Sequence, residues 1–170
     1  MSEPNNTVLL VLSRKVIGGS LAESIENRLG MKAFAVYDYQ NAEIEAAAHK
    51  PDIALVEIPE RHGTPALDTL IVCQNIRRAS PGCKIILLCP ENDEASVRVC
   101  VEARQREKID DYVFYDSTTA YLVSKLESLL SDKPLAVNES SDETADGTAK
   151  NAGLNQTGVK KNGISISAPI

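Results

Sequence analysis

Pro51-Asp52-Ile53-Ala54-Leu55-Val56-Glu57 is the stretch on which the fold turns. Its apolar residues run without polar alternation between a proline–aspartate breaker and a lone carboxylate. Such a run suits a strand covered on both faces, the habit of parallel sheets more than of half-exposed hairpins. Four runs of the same kind accompany it, at residues 8–12 (VLLVL), 33–37 (AFAVY), 85–89 (IILLC) and 112–115 (YVFY). Their centres lie about 20 to 32 residues apart, which leaves room for a helix between successive strands.

The intervening segments carry helix signals. Ser20-Leu21-Ala22-Glu23 has capping-box spacing, and Leu21, Ile25 and Leu29 follow on one face until Gly30. On this reading Gly18-Gly19 is a flexible lead-in to a Ser20 cap, and it matches no phosphate-loop spacing. Asn41 to His49 is a short alanine-rich helix stopped by Pro51, with His49 interacting with its C-terminus. Thr64-Pro65 places a capping hydroxyl before a first-turn proline. Val97, Val99 and Val101 alternate as in a strand, but Glu94-Ala95 and Glu102-Ala103-Arg104 favour a helix. Leu122, Leu126, Leu129 and Leu130 form a stripe behind a Ser117/Thr118 cap. The sum is (βα)5, an open doubly wound sheet whose ligand crevice should lie beyond the carboxyl ends of the strands.

Composition narrows the classes. The chain has 170 residues, 18 basic and 24 acidic, for a net charge of -6. That is a poor balance for broad phosphate-backbone binding, and no apolar helix-turn-helix pattern follows the sheet, so no direct DNA binding is expected. No apolar window is long enough for a membrane span, and the first residues lack a basic signal-peptide region. Cys73, Cys83, Cys89 and Cys100 show no C-x-x-C spacing, which favours reduced thiols and a cytoplasmic setting over disulfides or a metal site. Residues 7–130 make the folded domain, after a disordered leader at 1–6. Residues 131–170, rich in Ser, Thr, Asn and Ala, read as a disordered low-complexity tail. The Ile/Ser alternation at 164–167 is a strand-addition motif only in form, and undocked disorder is the favoured reading.

At the carboxyl edge stand Ser13-Arg14-Lys15, Glu57 with Glu60-Arg61-His62, Cys89-Pro90-Glu91 and Tyr115-Asp116. Residues 51–57, 84–89 and 110–115 resemble the third, fourth and fifth strands of a bacterial response-regulator receiver domain, and the resemblance covers residues 7 to about 130. It implies a flavodoxin-like sheet in the order 2-1-3-4-5. It also implies an altered phosphorylation site. Glu57 occupies the phosphoacceptor place of an Asp, and Leu12 and Ser13 occupy the places of the metal-binding acids. Cys89 replaces the hydroxyl switch residue, and Tyr115 the lysine. Only the aromatic switch position persists, as Tyr112.

These changes compound. Mg²⁺ leans on carboxylate oxygens that Leu12 and Ser13 do not offer. Without the metal or the lysine, charge on a transferring phosphoryl group is unscreened. Glu57 is also a methylene longer than Asp, which misplaces its oxygens for in-line attack. No cofactor, metal or catalytic residue is expected. Glu57 then has two readings: a permanent stand-in for a phosphorylated Asp, or a partly buried carboxylate neutralised by Arg14 or Lys15. The expected function is phosphorylation-independent regulation through protein contact, with a signalling partner or a twin subunit.

In receiver-like domains, partners dock on the surface of the fourth helix, fifth strand and fifth helix. Here Tyr112 and the arginines Arg98, Arg104 and Arg106 make that surface a candidate interface. The alternative is a small-molecule binder or enzyme of flavodoxin-like shape using Ser13, Glu57 and His62. A loop His without a nucleophile partner is usually just solvated. Cys89 reads as a core filler before it reads as a sensor thiol.

Overall fold

The computed structural model describes residues 6–131 of the chain. Apart from Asn6 and Ser131, the expected leader and tail lie outside the described residues. In chain order the elements are β1 (Thr7–Val11), α1 (Lys15–Leu29), β2 (Lys32–Val36), a 3-10 turn (Tyr39–Asn41), α2 (Ala42–His49) and β3 (Ile53–Glu57). They continue with α3 (Pro65–Ala79), β4 (Lys84–Cys89), α4 (Glu94–Gln105), β5 (Asp111–Phe114) and α5 (Thr119–Leu130). All strand pairings are parallel, in the order β2-β1-β3-β4-β5. This is the doubly wound flavodoxin-like sheet that the receiver resemblance implies. The valine-rich segment at 97–101 is helical, within α4.

The period of two along each strand divides the core into two layers. Leu9, Val11, Ala54, Val56, Ile85, Leu87 and Cys89 face α2, α3 and α4, meeting Ala42, Ala46, Cys73, Ile76, Cys100 and Ala103. Val8, Leu10, Leu12, Ile53, Leu55, Ile86 and Leu88 face α1 and α5, meeting Leu21, Ile25, Leu122, Val123 and Leu126. The three inner strands are therefore buried on both sides, which is why they read as continuous apolar runs.

Local expectations fail where distant residues decide. Gly18-Gly19-Ser20 is not a lead-in to a cap: α1 already starts at Lys15, with Arg14 at the N-cap and no side-chain cap bond. Nor has its first turn an acidic residue. The Ser13 N–H just ahead of it instead donates to the carboxylate of Glu57, at 2.6 Å. That anion favours the positive end of the helix dipole. Both glycines consequently sit inside the helix. Gly18 is buried, and a Cβ there would run into Tyr37, with Cε1 2.8 Å away. Thr64 precedes Pro65 as expected but its hydroxyl makes no cap bond, whereas Thr118 Oγ1 does accept from Tyr121 N–H, at 3.1 Å. His49 stacks on Phe34, with ring centroids 3.7 Å apart, and contacts Glu45 at 3.1 Å.

The two helical glycines should respond differently to alanine. At Gly19 a methyl group would meet nothing within 4 Å, so Gly19→Ala is expected to stabilise by about 1 kcal/mol through helix propensity. Gly18→Ala must displace the Tyr37 ring and should show no such gain. Urea denaturation of the two variants checks the contrast.

Candidate functional site

Parallel register brings four strand ends to one edge. Val11 lies opposite Val56, Glu57 opposite Leu88, and Cys89 opposite Phe114. Backbone bonds extend the sheet by one residue at the ends of β1, β3 and β5. Leu12 N–H donates to Val36 O at 3.0 Å, Ile58 N–H to Leu88 O at 2.9 Å, and Tyr115 N–H to Cys89 O at 3.1 Å. Leu12, Ser13, Glu57, Cys89 and Tyr115 are thereby placed along the carboxyl edge.

Glu57 is 0% exposed, so its carboxylate must find partners inside the protein. Oε2 accepts from Ser13 N–H at 2.6 Å and from the Ser13 hydroxyl. Oε1 accepts from Arg14 Nε at 2.7 Å and faces Arg14 Nη2 in an ion pair. The Arg14 guanidinium also lies over the Tyr115 ring, 4.6 Å from its centroid. A planar cation can meet a carboxylate edge-on and an aromatic ring face-on at once, which an ammonium cannot do as well. Of the two candidate cations Arg14 is at Glu57; Lys15 is not, and its Nζ lies 5.8 Å over the Tyr37 ring. The turn into α1 separates the two neighbours.

Two tyrosines fix the backbone behind this pair. Tyr39 OH donates to Glu57 O at 2.6 Å, and Tyr115 OH donates to Ile58 O. Burial, then the Glu57 charge, raises both phenols well above their ordinary range, so each stays a donor. The sequence reading missed the role of Tyr39. Only a tertiary contact reveals it, since Tyr39 lies in the loop after β2 while its acceptor ends β3.

As a metal site the edge is poorly equipped. Leu12 is 0% exposed in the α1–α5 core layer, and the Ser13 hydroxyl is engaged by Glu57. Among the described residues no group of three His, Cys, Asp or Glu side chains could hold a metal. His62 does not join Ser13 and Glu57. It lines a depression of ≈ 410 Å³ between the starts of α3 and α4, while Ser13 lines another of ≈ 490 Å³. All four cysteines are free and buried. A hydrogen bond from Cys100 lowers the Cys89 thiol, against the effect of burial, whereas burial pushes Cys73 up to about 12.

The α4–β5–α5 surface is tied together at Asp111. Its carboxylate meets Lys125 Nζ at 2.8 Å and Arg104 Nε at 3.5 Å. It also accepts from Tyr112 N–H at 2.8 Å. Although burial pulls the Lys125 ammonium down, the Asp111 hydrogen bond and charge hold it above its ordinary value. Tyr112 is half-buried, packed on the core layer under α4 and edge-to-face with Phe114, 5.8 Å between centroids. Arg98 is exposed, and Arg106 pairs with Glu102 at 3.1 Å. Tyr121, 50% exposed, is the aromatic that this surface presents to solvent, and nothing in its sequence context marked it out.

No family model matches the sequence, and neither does any curated protein. Solved structures do share its fold. A response regulator from Thermotoga maritima superposes with a TM-score of 0.61 at 19% identity, covering 75% of this chain and 99% of that one. A CheY-like receiver domain protein from Methanospirillum hungatei gives 0.61 at 15%, covering 76% and 96%. The receiver domain of a signal transduction histidine kinase from Syntrophus aciditrophicus gives 0.59 at 20%, covering 75% and 91%. At these identities the likeness is one of fold.

Removing one partner of the Glu57 pair should cost more than removing both. Arg14→Met leaves a buried carboxylate without a cation. A loss of about 2 kcal/mol is expected, below the usual buried-pair range because Arg14 is 45% exposed. Adding Glu57→Gln should recover part of that loss, a coupling that a double-mutant cycle in urea measures.

Proposed function

We propose that the chain is a receiver-like regulatory domain that works through protein contact without being phosphorylated. The carrying observation is the saturation of the Glu57 carboxylate. Phosphoryl acceptance needs an oxygen lone pair in line with the donor and a cation to screen the transferring group. Both Glu57 oxygens instead accept hydrogen bonds from Ser13 and Arg14, and the guanidinium takes up the charge that a metal would otherwise neutralise. The remaining positions agree. Leu12 is apolar core, Cys89 is a buried thiol, and the Tyr115 hydroxyl is bound to the backbone where the receiver pattern has a lysine. The Arg14 pair favours a structural role for Glu57 over an imitation of a phosphorylated Asp.

Output on this reading passes through the α4–β5–α5 surface, to a signalling protein or a second copy. Tyr121, Arg98 and Arg106 are exposed there, while Tyr112 is partly spent on the core. Tyr121 shares a shallow depression with Arg104 and Lys125, and the Lys125 ammonium lies 5.6 Å over its ring. An exposed aromatic beside an arginine is a composition that interface centres favour. Four buried free thiols suit a reducing, cytoplasmic setting. No described helix is long and apolar enough to cross a membrane.

Incubating the full chain with Mg²⁺ and a small phosphodonor such as acetyl phosphate should leave its intact mass unchanged. A phosphoryl adduct on Glu57 would overturn the proposal. For the contact surface, a copurifying partner should survive Ile44→Ala on α2, an exposed apolar site, and be lost with Tyr121→Ala. The reverse pattern would place the contact elsewhere.

A further inference from the structure

Ser13 belongs to two neighbourhoods. One is the Glu57 pair; the other is the ≈ 490 Å³ depression formed with the loop after β2, the loop after β3 and the first two turns of α3. Tyr37, Tyr39, Pro59 and Val72 give it aromatic and apolar walls, and the carboxylates of Asp38 and Asp68 line it too. Arg61 also lines the depression, but its guanidinium is paired with Asp68 at 2.9 Å, so these two charges offset each other. Asp38 has no cationic partner among the described residues; one of its oxygens caps Gln40 N–H at 3.1 Å. Next to this depression the chain already holds a cation with the same kinds of group. At Glu57, a guanidinium is gripped between a carboxylate and a tyrosine face. The Lys15 ammonium over Tyr37 shows that this ring also attracts positive charge. The volume suits a small ligand or one long side chain, and strand carboxyl ends near a change in strand order are where open α/β sheets bind ligands.

We propose that this depression binds a guanidinium group, stacked on Tyr37 or Tyr39 and paired with Asp38. The source is either a small guanidino compound or an arginine side chain of a protein partner. The site is separate from the α4–β5–α5 surface, so it stands or falls independently of the proposed docking there and of phosphodonor results. Binding would also be felt at the Glu57 pair, because Tyr39 and Ser13 serve both places.

The test is an amide NMR titration of the full chain with agmatine, with a capped Gly-Arg-Gly peptide, and with the neutral citrulline peptide of the same shape. Shifts centred on residues 37–40 with the two guanidinium probes, absent with citrulline, are expected. Asp38→Asn keeps the turn cap and removes the charge, and should weaken binding roughly fivefold, the worth of one partly exposed ion pair. Tighter binding of agmatine assigns the small-molecule source, and tighter binding of the peptide assigns the protein source. No shift at millimolar probe, equal response to citrulline, or indifference to Asp38→Asn overturns the proposal.

Discussion

A carboxylate with no exposed surface, at the end of the central strand, is the constraint to which the carboxyl edge is built. Glu57 cannot remain charged there without donors, and the chain supplies them from the turn between β1 and α1. The consequences spread outward. The Ser13 and Arg14 contacts fix where α1 begins, and α1's early start puts Gly18 inside the helix, where Tyr37 closes on it. Arg14 in turn needs a surface to lie on, and Tyr115 provides it while its hydroxyl clamps Ile58. One charge thus links the ends of β1, β3 and β5.

A second ion cluster plays a comparable part on another flank. Asp111 begins the edge strand β5, and its carboxylate joins α4 through Arg104 and α5 through Lys125. It also takes the Tyr112 N–H. Capping a strand's own amide and keeping charge at its margin are ways of discouraging unwanted strand addition. The candidate contact surface is therefore braced before any partner arrives, with Tyr112 packed down and Tyr121 left outward.

The sheet was legible because its signal is local. Runs such as Ile53-Ala54-Leu55-Val56 are apolar on both faces, too short for helices and bounded by breakers such as Pro51-Asp52, which suits parallel strands under helices. The carboxyl-edge residues were legible as positions, since each follows a strand. Their partners were not. Ser20 carries a good capping pattern, yet the cap is Arg14, six residues earlier, because of an acid 44 residues away along the chain from Ser13. Arg14 and Lys15 were indistinguishable as cations for Glu57 until the turn separated them. Tyr39 and Tyr115 clamp carbonyls of β3's last residue and of the one after it, and no spacing rule anticipates such contacts.

The same burial bears on how the proposed receiver-like domain could be regulated. A switch moves only as far as a ligand's differential affinity for its two states can push it. A bound metal or a phosphoryl group can come and go; Arg14 cannot, because it is covalently part of the chain. Its effective concentration at Glu57 is fixed by a short turn, so the pair resists displacement by ions that merely collide with the edge. Control on this reading falls to whatever reaches the residues around the pair, and Ser13 and Tyr39 are those that line an open depression. A ligand there would act on the Glu57 pair from its accessible side, through a hydroxyl and a phenol, without entering the buried site itself.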